Sequence, residues 1–352
     1  MKVFVTGSTG LLGNNLVRTL DAAGNSVVGL VRSEARGRRL LGDTGARLVK
    51  GDMRDVQAFA WALDGCEAVF HTAAYFREYY QPGDHEEALE EINVRGTLAL
   101  MQEADRQSVR RFVHVSSAGA IGANPDGSPA DEQTPPGRLQ TTNLYLHSKV
   151  RGDEAIHAWK PAHGMEVVEI LPGWMWGPGD AAPTAAGQMA LDFLARKIPG
   201  IVDGGTCVVD ARDVAAAMIA ASERGRAGER YIVGGEYRSM EEILGGLALA
   251  SGVPAPARRL PYALVMTLAP LFELYGRLTG RPVLVTRQGV RIMHAKYRIS
   301  SRKAERELGV RFRPFDETLR EVVAWHRAHP ISPSERAPEA PSSSISIEAA
   351  RS

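Results

Sequence analysis

Only two cysteines occur in the 352 residues, Cys66 and Cys207, far apart in the chain. They lack the spacing of a metal-ligand set, so the expectations are no metal site, no disulfide framework and a reducing compartment in which both thiols are small core residues. Charge of one sign is equally scarce. Forty-two Lys and Arg stand against 41 Asp and Glu, a formal net charge of +1. No global field draws in nucleic acid or an anionic membrane, and the expected partner is a small molecule. No apolar run reaches the roughly 20 residues that a spanning helix requires. The longest, PYALVMTLAPLFEL, contains Pro270 and Glu273 and reads as a buried helix pair or a lid, with docking of 260–276 on a membrane surface left open. The opening MKVFVTG has a strand pattern and not the charged, apolar and small-residue succession of a leader, so a cytoplasmic address is expected. No internal repeat is visible.

Hydrophobic residues make up 44% of the chain, enough for a large core with an appended lobe or for two domains sharing a cleft. KVFVTG, SVVGLVR, ARLVKGD, EAVFHTAA, RRFVHVSS and MEVVEILP are short apolar runs, each followed by a segment of helical length. That pattern predicts an α/β fold, a doubly wound parallel sheet covered on both faces. GWMWGPGDAAPT then breaks the periodicity and marks entry into a second lobe. CVVDARDVAAAMIAA reads as a short strand whose Asp210 or Asp213 leads an Ala-rich helix back onto the first domain. The expected division is a dinucleotide-binding domain over 1–172 with 206–234 returning to it. A smaller, mostly helical, interleaved substrate lobe covers 173–205 and 235–330, with helices near 240–250, 300–308 and 317–328. The Ser-, Pro- and Ala-rich stretch 331–352 is expected to be disordered.

TGSTGLLG sits after the first strand and at the start of a helix. There a dinucleotide pyrophosphate meets backbone N–H groups and the positive helix end. The cofactor contacts are therefore placed on Gly7, Thr9, Gly10, Leu11, Leu12 and Gly13. A P-loop is excluded, because Gly13 is followed by Asn14 and Asn15 where that motif needs Lys and Ser or Thr. The second strand ends in Arg32, where an enzyme reading a free ribose 2′-hydroxyl carries Asp or Glu. With Arg36, Arg38 and Arg39 close behind, a guanidinium clamp on a 2′-phosphate is expected, hence NADP(H) in preference to NAD(H). The bland alternative is a solvated basic turn. Asp52 in GDMRD either accepts from the adenine amino group, with Met53 on the ring, or is a turn carboxylate.

Tyr145 and Lys149 stand four apart in YLHSK, on one face of a helix. An ammonium there favours phenolate and brings the phenol, with a reference pKa of roughly 10, toward use as a proton donor near neutrality. With VSSAG and its Ser117 upstream, these residues point to hydride chemistry on a nicotinamide cofactor, which moves the hydride while the protein orients and supplies a proton. His147 points to another helix face. His71 ends a strand beside the expected cofactor path, as a structural group or a tuned one.

In this order, TGSTGLLG, GDMRD, FHTAA, NVRGT, VSSAG, YLHSK, LPG with GPGD and VVDARDVA resemble the extended short-chain dehydrogenase/reductase family, from Met1 to about His329. The resemblance is to its dihydroflavonol 4-reductase-like branch, which includes bacterial proteins called hopanoid-associated sugar epimerases. It implies that Tyr145 is the proton donor or acceptor, that Lys149 binds nicotinamide ribose hydroxyls and lowers the tyrosine pKa, and that Ser117 bonds the substrate oxygen. Ser116 is the rival serine. Asn93 matches a structural or water-binding asparagine, Ala73, Ala74 and Pro172 would lie along the cofactor, and a homodimer through the helices around Asn93 and Tyr145 is suggested.

Two departures from the nucleotide-sugar epimerases bear on substrate. Tyr75, Phe76, Tyr79 and Tyr80, with Trp174, Met175 and Trp176, suit a cleft for a flat or apolar carbonyl compound, unless they are core residues. GGTC and WMW stand where an Arg and an Asn would hold a diphosphate. Carbonyl reduction is accordingly preferred to epimerisation, although Arg77 or Arg138 would still offer a phosphate contact. A non-catalytic NADP-binding regulatory protein is the third reading, disfavoured by retention of Ser117, Tyr145 and Lys149.

Overall fold

The computed structural model describes residues 1–76, 84–160, 163–279 and 285–330. The apolar runs of the first half form β1 (Lys2–Thr6), β2 (Ser26–Val31), β3 (Arg47–Lys50), β4 (Ala68–His71), β5 (Arg111–Val115) and β6 (Glu166–Pro172). Between them run α1 (Leu11–Ala22), α2 (Glu34–Leu41), α3 (Glu86–Glu90), α4 (Thr97–Arg106), α5 (Arg138–Thr142) and α6 (Leu144–Trp159). Strand alternation sends Val3 and Val5 to one face, where they pack with Leu12, Leu16 and Leu20 of α1. Phe4 goes to the other face, with Leu100 and Met101 of α4 and Ile156 of α6. Both faces are covered, which is why the runs are apolar throughout rather than alternating.

The second half supplies β7 (Trp174–Trp176), α7 (Ala185–Leu194), β8 (Ile201–Val202), β9 (Gly205–Asp210), α8 (Ala211–Arg224), β10 (Arg230–Val233), β11 (Glu236–Ser239), α9 (Met240–Ser251) and β12 (Arg259–Leu260). It ends with α10 (Tyr262–Thr279), α11 (Arg287–His294), α12 (Arg302–Leu308) and α13 (Phe315–Ala328). The main sheet has seven strands in the order β10-β6-β5-β4-β1-β2-β3, every pairing parallel. The chain winds outward from β1 in both directions, so the reversal between β1 and β4 opens a crevice at their carboxyl ends.

The return of 206–234 to this sheet differs from expectation in its first strand. β9 pairs with β7 and β11 in a separate three-stranded sheet, and only α8 and β10 rejoin the main body. Asp210, not Asp213, caps α8, accepting from Arg212 N at 2.8 Å. Val214, Ala217 and Met218 of that helix pack with α1 residues in the same cluster. The Trp-rich segment is strand β7, not an irregular entry, and its Trp176 joins Phe193, Leu244, Leu247, Leu319 and Val322 in the core of the smaller lobe.

Cys66 and Cys207 are free and buried, and burial pushes both thiols up. Among the described residues no helix is long and apolar enough to cross a membrane, and no group of His, Cys, Asp and Glu could hold a metal ion. The run expected to form a buried helix pair is instead one helix, α10, with Pro270 inside and only Val265, Ala269 and Gly276 buried. The stretch 331–352 expected to be disordered lies outside the described residues, as do Arg77, Tyr79 and Tyr80.

Candidate functional site

At the carboxyl end of β1 the chain turns sharply at Gly7, whose φ of 66° is a left-handed conformation that favours glycine. A Cβ on Gly7 would lie 2.7 Å from Thr72 Oγ1 and 2.8 Å from Ala73 N, and one on Gly13 would lie 2.1 Å from Gly7 O. The absent side chains thus let the first turn of α1 settle against the ends of β1 and β4. Gly10 plays another part. Its N–H closes the turn onto Gly7 O at 2.9 Å, it is exposed, and the nearest atom to its Cβ position is Gly7 O at 3.3 Å. No side chain caps α1, and its first turn has no acidic residue. The opening N–H groups of Leu11, Leu12 and Gly13 therefore face outward at the positive end of a helix dipole. This bare, uncapped cradle fits the pyrophosphate of a dinucleotide.

The other residues expected along the cofactor lie at or after the ends of β2, β3, β4 and β6. Ser8 Oγ donates to Leu30 O at 2.6 Å, tying the turn to β2, which ends just before exposed Arg32. Arg36 lies in the first turn of α2, its N–H donating to Ser33 Oγ. Arg38 is ion-paired with Glu34 one turn back, so it belongs to the solvated face rather than to a clamp. Ala73 and Ala74 run along the turn, with Ala73 N donating to Thr6 Oγ1. Pro172 is buried opposite Val233. Asp52 accepts from Arg54 N at 3.0 Å, as a turn carboxylate does. Met53 buries its side chain in the core beneath, with Val49, Val56 and Phe59.

Tyr145 and Lys149 lie one turn apart at the start of α6, both buried. Asn143 caps this helix by accepting from Leu146 N at 3.0 Å. Lys149 Nζ donates to Val115 O at 3.2 Å, which leaves further ammonium donors for a ligand's hydroxyls. Burial pushes this ammonium below the usual lysine range, opposed by the charge of Asp153. Asp153 is itself pushed up by burial, with Glu169 adding to the effect. The rival serines separate here. Ser116 Oγ donates to Asp153 Oδ1 at 2.5 Å, and Arg230 holds the other oxygen at 3.0 Å. Half-buried Ser117 accepts from Gly119 N at 3.0 Å and retains its own proton. Gln140 Nε2 donates to Gly119 O and Ile121 O, pinning the Ser117 turn beside α6.

Asn93 does more than its sequence position announced. It sits in a π-helical turn, Glu91–Gly96, of a kind that recurs at functional sites. Its Oδ1 accepts from Tyr75 N at 2.7 Å, and its Nδ2 donates to Tyr75 O at 3.2 Å and Ser148 Oγ at 3.1 Å. Ser148 in turn donates to Tyr145 O at 2.8 Å. Asn93 thereby clips the segment after β4 to the helix that carries Tyr145. No signal in NVRGT distinguishes this clasp from a lone buried amide.

Of the residues proposed for a substrate wall, Phe76 lies with its ring 4.9 Å from that of Tyr145, and Tyr75, Leu139 and Ile292 complete the cluster. Trp174 and Met175 do not form one wall with them. Strand alternation packs Trp174 on the lobe core and Met175 on the α1–α8 core, each half-buried. Arg138 opens α5 and is exposed.

His71 is a structural group. Thr6 Oγ1 accepts from Thr72 N and Ala73 N, so its proton goes to His71 Nδ1 at 2.7 Å. Thr97 gives its proton to Asn93 O and accepts from His71 Nε2 at 3.0 Å. The ring is neutral, and burial, with Lys149 adding, pushes its pKa down to about 3. Neighbouring His114 is held well below the usual range, chiefly by burial. Unfolded histidine takes up a proton near pH 6.5, so the unfolded chain binds more protons below that point and stability falls with falling pH. We expect each ring to remove about 1.4 kcal/mol per pH unit below 6.5, down to pH 3 for His71. Urea midpoints measured between pH 7.5 and 5 check this; a flat profile refutes the buried neutral pair.

Comparison with known proteins agrees with this architecture. The model of the NAD dependent epimerase/dehydratase family matches residues 3–234. A Synechocystis protein provisionally named a dihydroflavonol 4-reductase is 35% identical over 333 residues, covering 93% of this chain and 94% of its own. Sterol demethylase protein B of Methylococcus capsulatus is 34% identical over 329 residues, with 93% and 98% covered. The crystal structure of a protein described as a nucleoside-diphosphate-sugar epimerase from Pseudomonas aeruginosa superposes with a TM-score of 0.76 at 27% identity, over 94% of this chain and 98% of that one.

Proposed function

For a chain that belongs to the NAD dependent epimerase/dehydratase family, we propose NADP(H)-dependent reduction of an apolar or aromatic ketone or aldehyde, with Tyr145 as proton donor. One observation carries the reading. The uncapped helix end at Gly10–Gly13 and the grouping of Ser117, Tyr145 and Lys149 open at the same carboxyl edge of the sheet. When bound, the nicotinamide supplies the hydride. Gly7, Thr9, Gly10, Leu11, Leu12 and Gly13 would hold the pyrophosphate, Ala73, Ala74 and Pro172 would line its path, and Lys149 would hold ribose hydroxyls. Asp52, whose second oxygen pairs with the Arg54 guanidinium at 3.4 Å, would accept from the adenine amino group.

Negative charge grows on the carbonyl oxygen as its carbon is reduced, and Ser117 and Tyr145 are donors placed before that charge appears. Tyr145 completes the step by releasing its proton to the oxygen, with the Lys149 charge favouring the phenolate left behind. Phe76 and Tyr75 close the apolar side of the cleft. The names of the Synechocystis and Methylococcus relatives support a flat apolar substrate. The Pseudomonas structure supports the alternative, epimerisation of a nucleotide sugar. Incubation with NADPH and a panel of aromatic and aliphatic carbonyl compounds, and in parallel with nucleotide sugars, separates the two. Net loss of nicotinamide absorbance is expected, and isomerised sugar without net loss would overturn the reductase reading.

Arg32 and Arg36 would select the 2′-phosphate. Arg32→Asp should lower kcat/KM for NADPH by about 10- to 150-fold, equivalent to about 1.5–3 kcal/mol for a charged hydrogen bond, while NADH is spared. An unchanged NADPH/NADH ratio would overturn the assignment of NADP(H) to Arg32.

A further inference from the structure

Among the described residues, nothing covers the apolar surface of helix α10. Leu264, Leu268, Leu271, Phe272, Leu274, Tyr275 and Leu278 are all exposed, Leu271 by 63% and Leu278 by 78%. Their opposite side, Val265, Ala269 and Gly276, is the buried one. Positions 264, 268, 271, 275 and 278 recur at helical spacing and form a stripe, and Phe272 and Leu274 broaden it to either side. A two-helix seam needs only the stripe; this face is wide enough to lie on a flat apolar layer. The helix is not apolar enough to cross such a layer.

Charge decides what covers it. From 257 to 298 the chain holds eight Arg or Lys and a single acid, Glu273, in a protein whose total is +1. Glu273 is turned inward onto Arg287. Arg259 and Lys296 are paired with Glu241 and Asp203. Arg258, Arg277 and Arg291 make no ion pair among the described residues. A second copy would bring the same positive charges to the contact, whereas an anionic lipid surface brings their complement.

We propose that α10 docks the protein peripherally on an anionic membrane, its leucines and Phe272 entering the acyl boundary and Arg258, Arg277 and Arg291 meeting headgroups. The seat is one helix from the candidate site. Tyr262 of α10 stacks on His294 of α11, ring centroids 3.9 Å apart. On that same helix Ile292 packs in the Tyr145 cluster, and Gln288 accepts from Asn143 at 3.4 Å.

The test is sedimentation of the full chain with vesicles of phosphatidylcholine containing about 30% phosphatidylglycerol, against phosphatidylcholine alone. At least about tenfold more bound protein on the anionic vesicles is expected, falling as salt is raised from about 0.05 to about 0.5 M. The double variant Leu271→Glu, Phe272→Glu should lose binding while keeping the native Tm and NADPH affinity. Leu271→Ser with Phe272→Ser serves if the first pair misfolds. Equal binding by native and variant chains, or none to either vesicle, overturns the proposal. So does a concentration-dependent dimer split by the same variant without vesicle binding, which would make the face a contact between copies. NADPH affinity, read separately, keeps this outcome distinct from failure of the reductase reading.

Discussion

Tyr145→Phe is expected to lower kcat by about 10² to 10⁴, the usual contribution of a positioned general acid, while NADPH binds as before. The variant removes one oxygen and nothing else. The ring stays packed by Phe76, Leu89, Leu146 and Ile292, so Tm should hardly move. The Lys149 ammonium still donates to Val115 O, and the backbone cradle at α1 is untouched. kcat should fall more than KM rises, because the missing interaction belongs to the transition state. Stopped-flow turnover beside calorimetric NADPH titration reads both effects. Native-level turnover in the variant would remove Tyr145 from the chemistry, and lost NADPH binding would mean that the cofactor site, not the acid, had been damaged.

The glycine turn yields a paired result of comparable size. Gly13→Ala places a methyl carbon where 2.1 Å separates it from Gly7 O, and neither partner is a flexible side-chain tip. Separating α1 from β1 should cost about 3 kcal/mol of stability, at the upper end of overpacking, and abolish NADPH binding with it. Gly10→Ala meets only Gly7 O at 3.3 Å, and its backbone, φ −81° and ψ 170°, suits any residue. Stability should change by less than about 1 kcal/mol, the cost of a poorer N-cap. NADPH affinity should nevertheless fall about tenfold or more, or 1.4 kcal/mol, because a methyl group now stands on the bare edge of the helix end. Urea midpoints and NADPH titrations of the two variants distinguish them. Unimpaired binding by folded Gly10→Ala would place the dinucleotide elsewhere.

What was legible came from neighbours close in the chain. The apolar runs marked the parallel strands, three glycines within seven residues marked the turn, and Tyr145 and Lys149 four apart necessarily share a helix face. Ser116 remained a rival to Ser117 in the sequence, because Asp153, which takes up the Ser116 hydroxyl, and Arg230, which holds the other oxygen of that carboxylate, stand 37 and 114 residues from Ser116. Trp174 and Met175 illustrate the opposite case. As neighbours in a strand they point to opposite sides, so an aromatic-rich string was mistaken for a single wall. The run at α10 was read as a buried helix pair or a lid, with membrane docking left open, because burial depends on whether another surface arrives to cover it.

The sequence by itself therefore determined the parallel-sheet architecture and the glycine turn, since both are written in short-range periodicity and spacing; the family was legible as a resemblance in the order of its motifs, and that resemblance named Ser117, Tyr145 and Lys149 as the candidate set. Only the tertiary structure decided that β9 leaves the main sheet, that Asn93 clasps the Tyr145 helix, that His71 is a neutral strut and that no described residue covers the leucine stripe of α10. Those outcomes depend on which distant groups supply a hydrogen bond or an apolar contact. A linear pattern states what a residue can offer, and the folded chain decides what meets it.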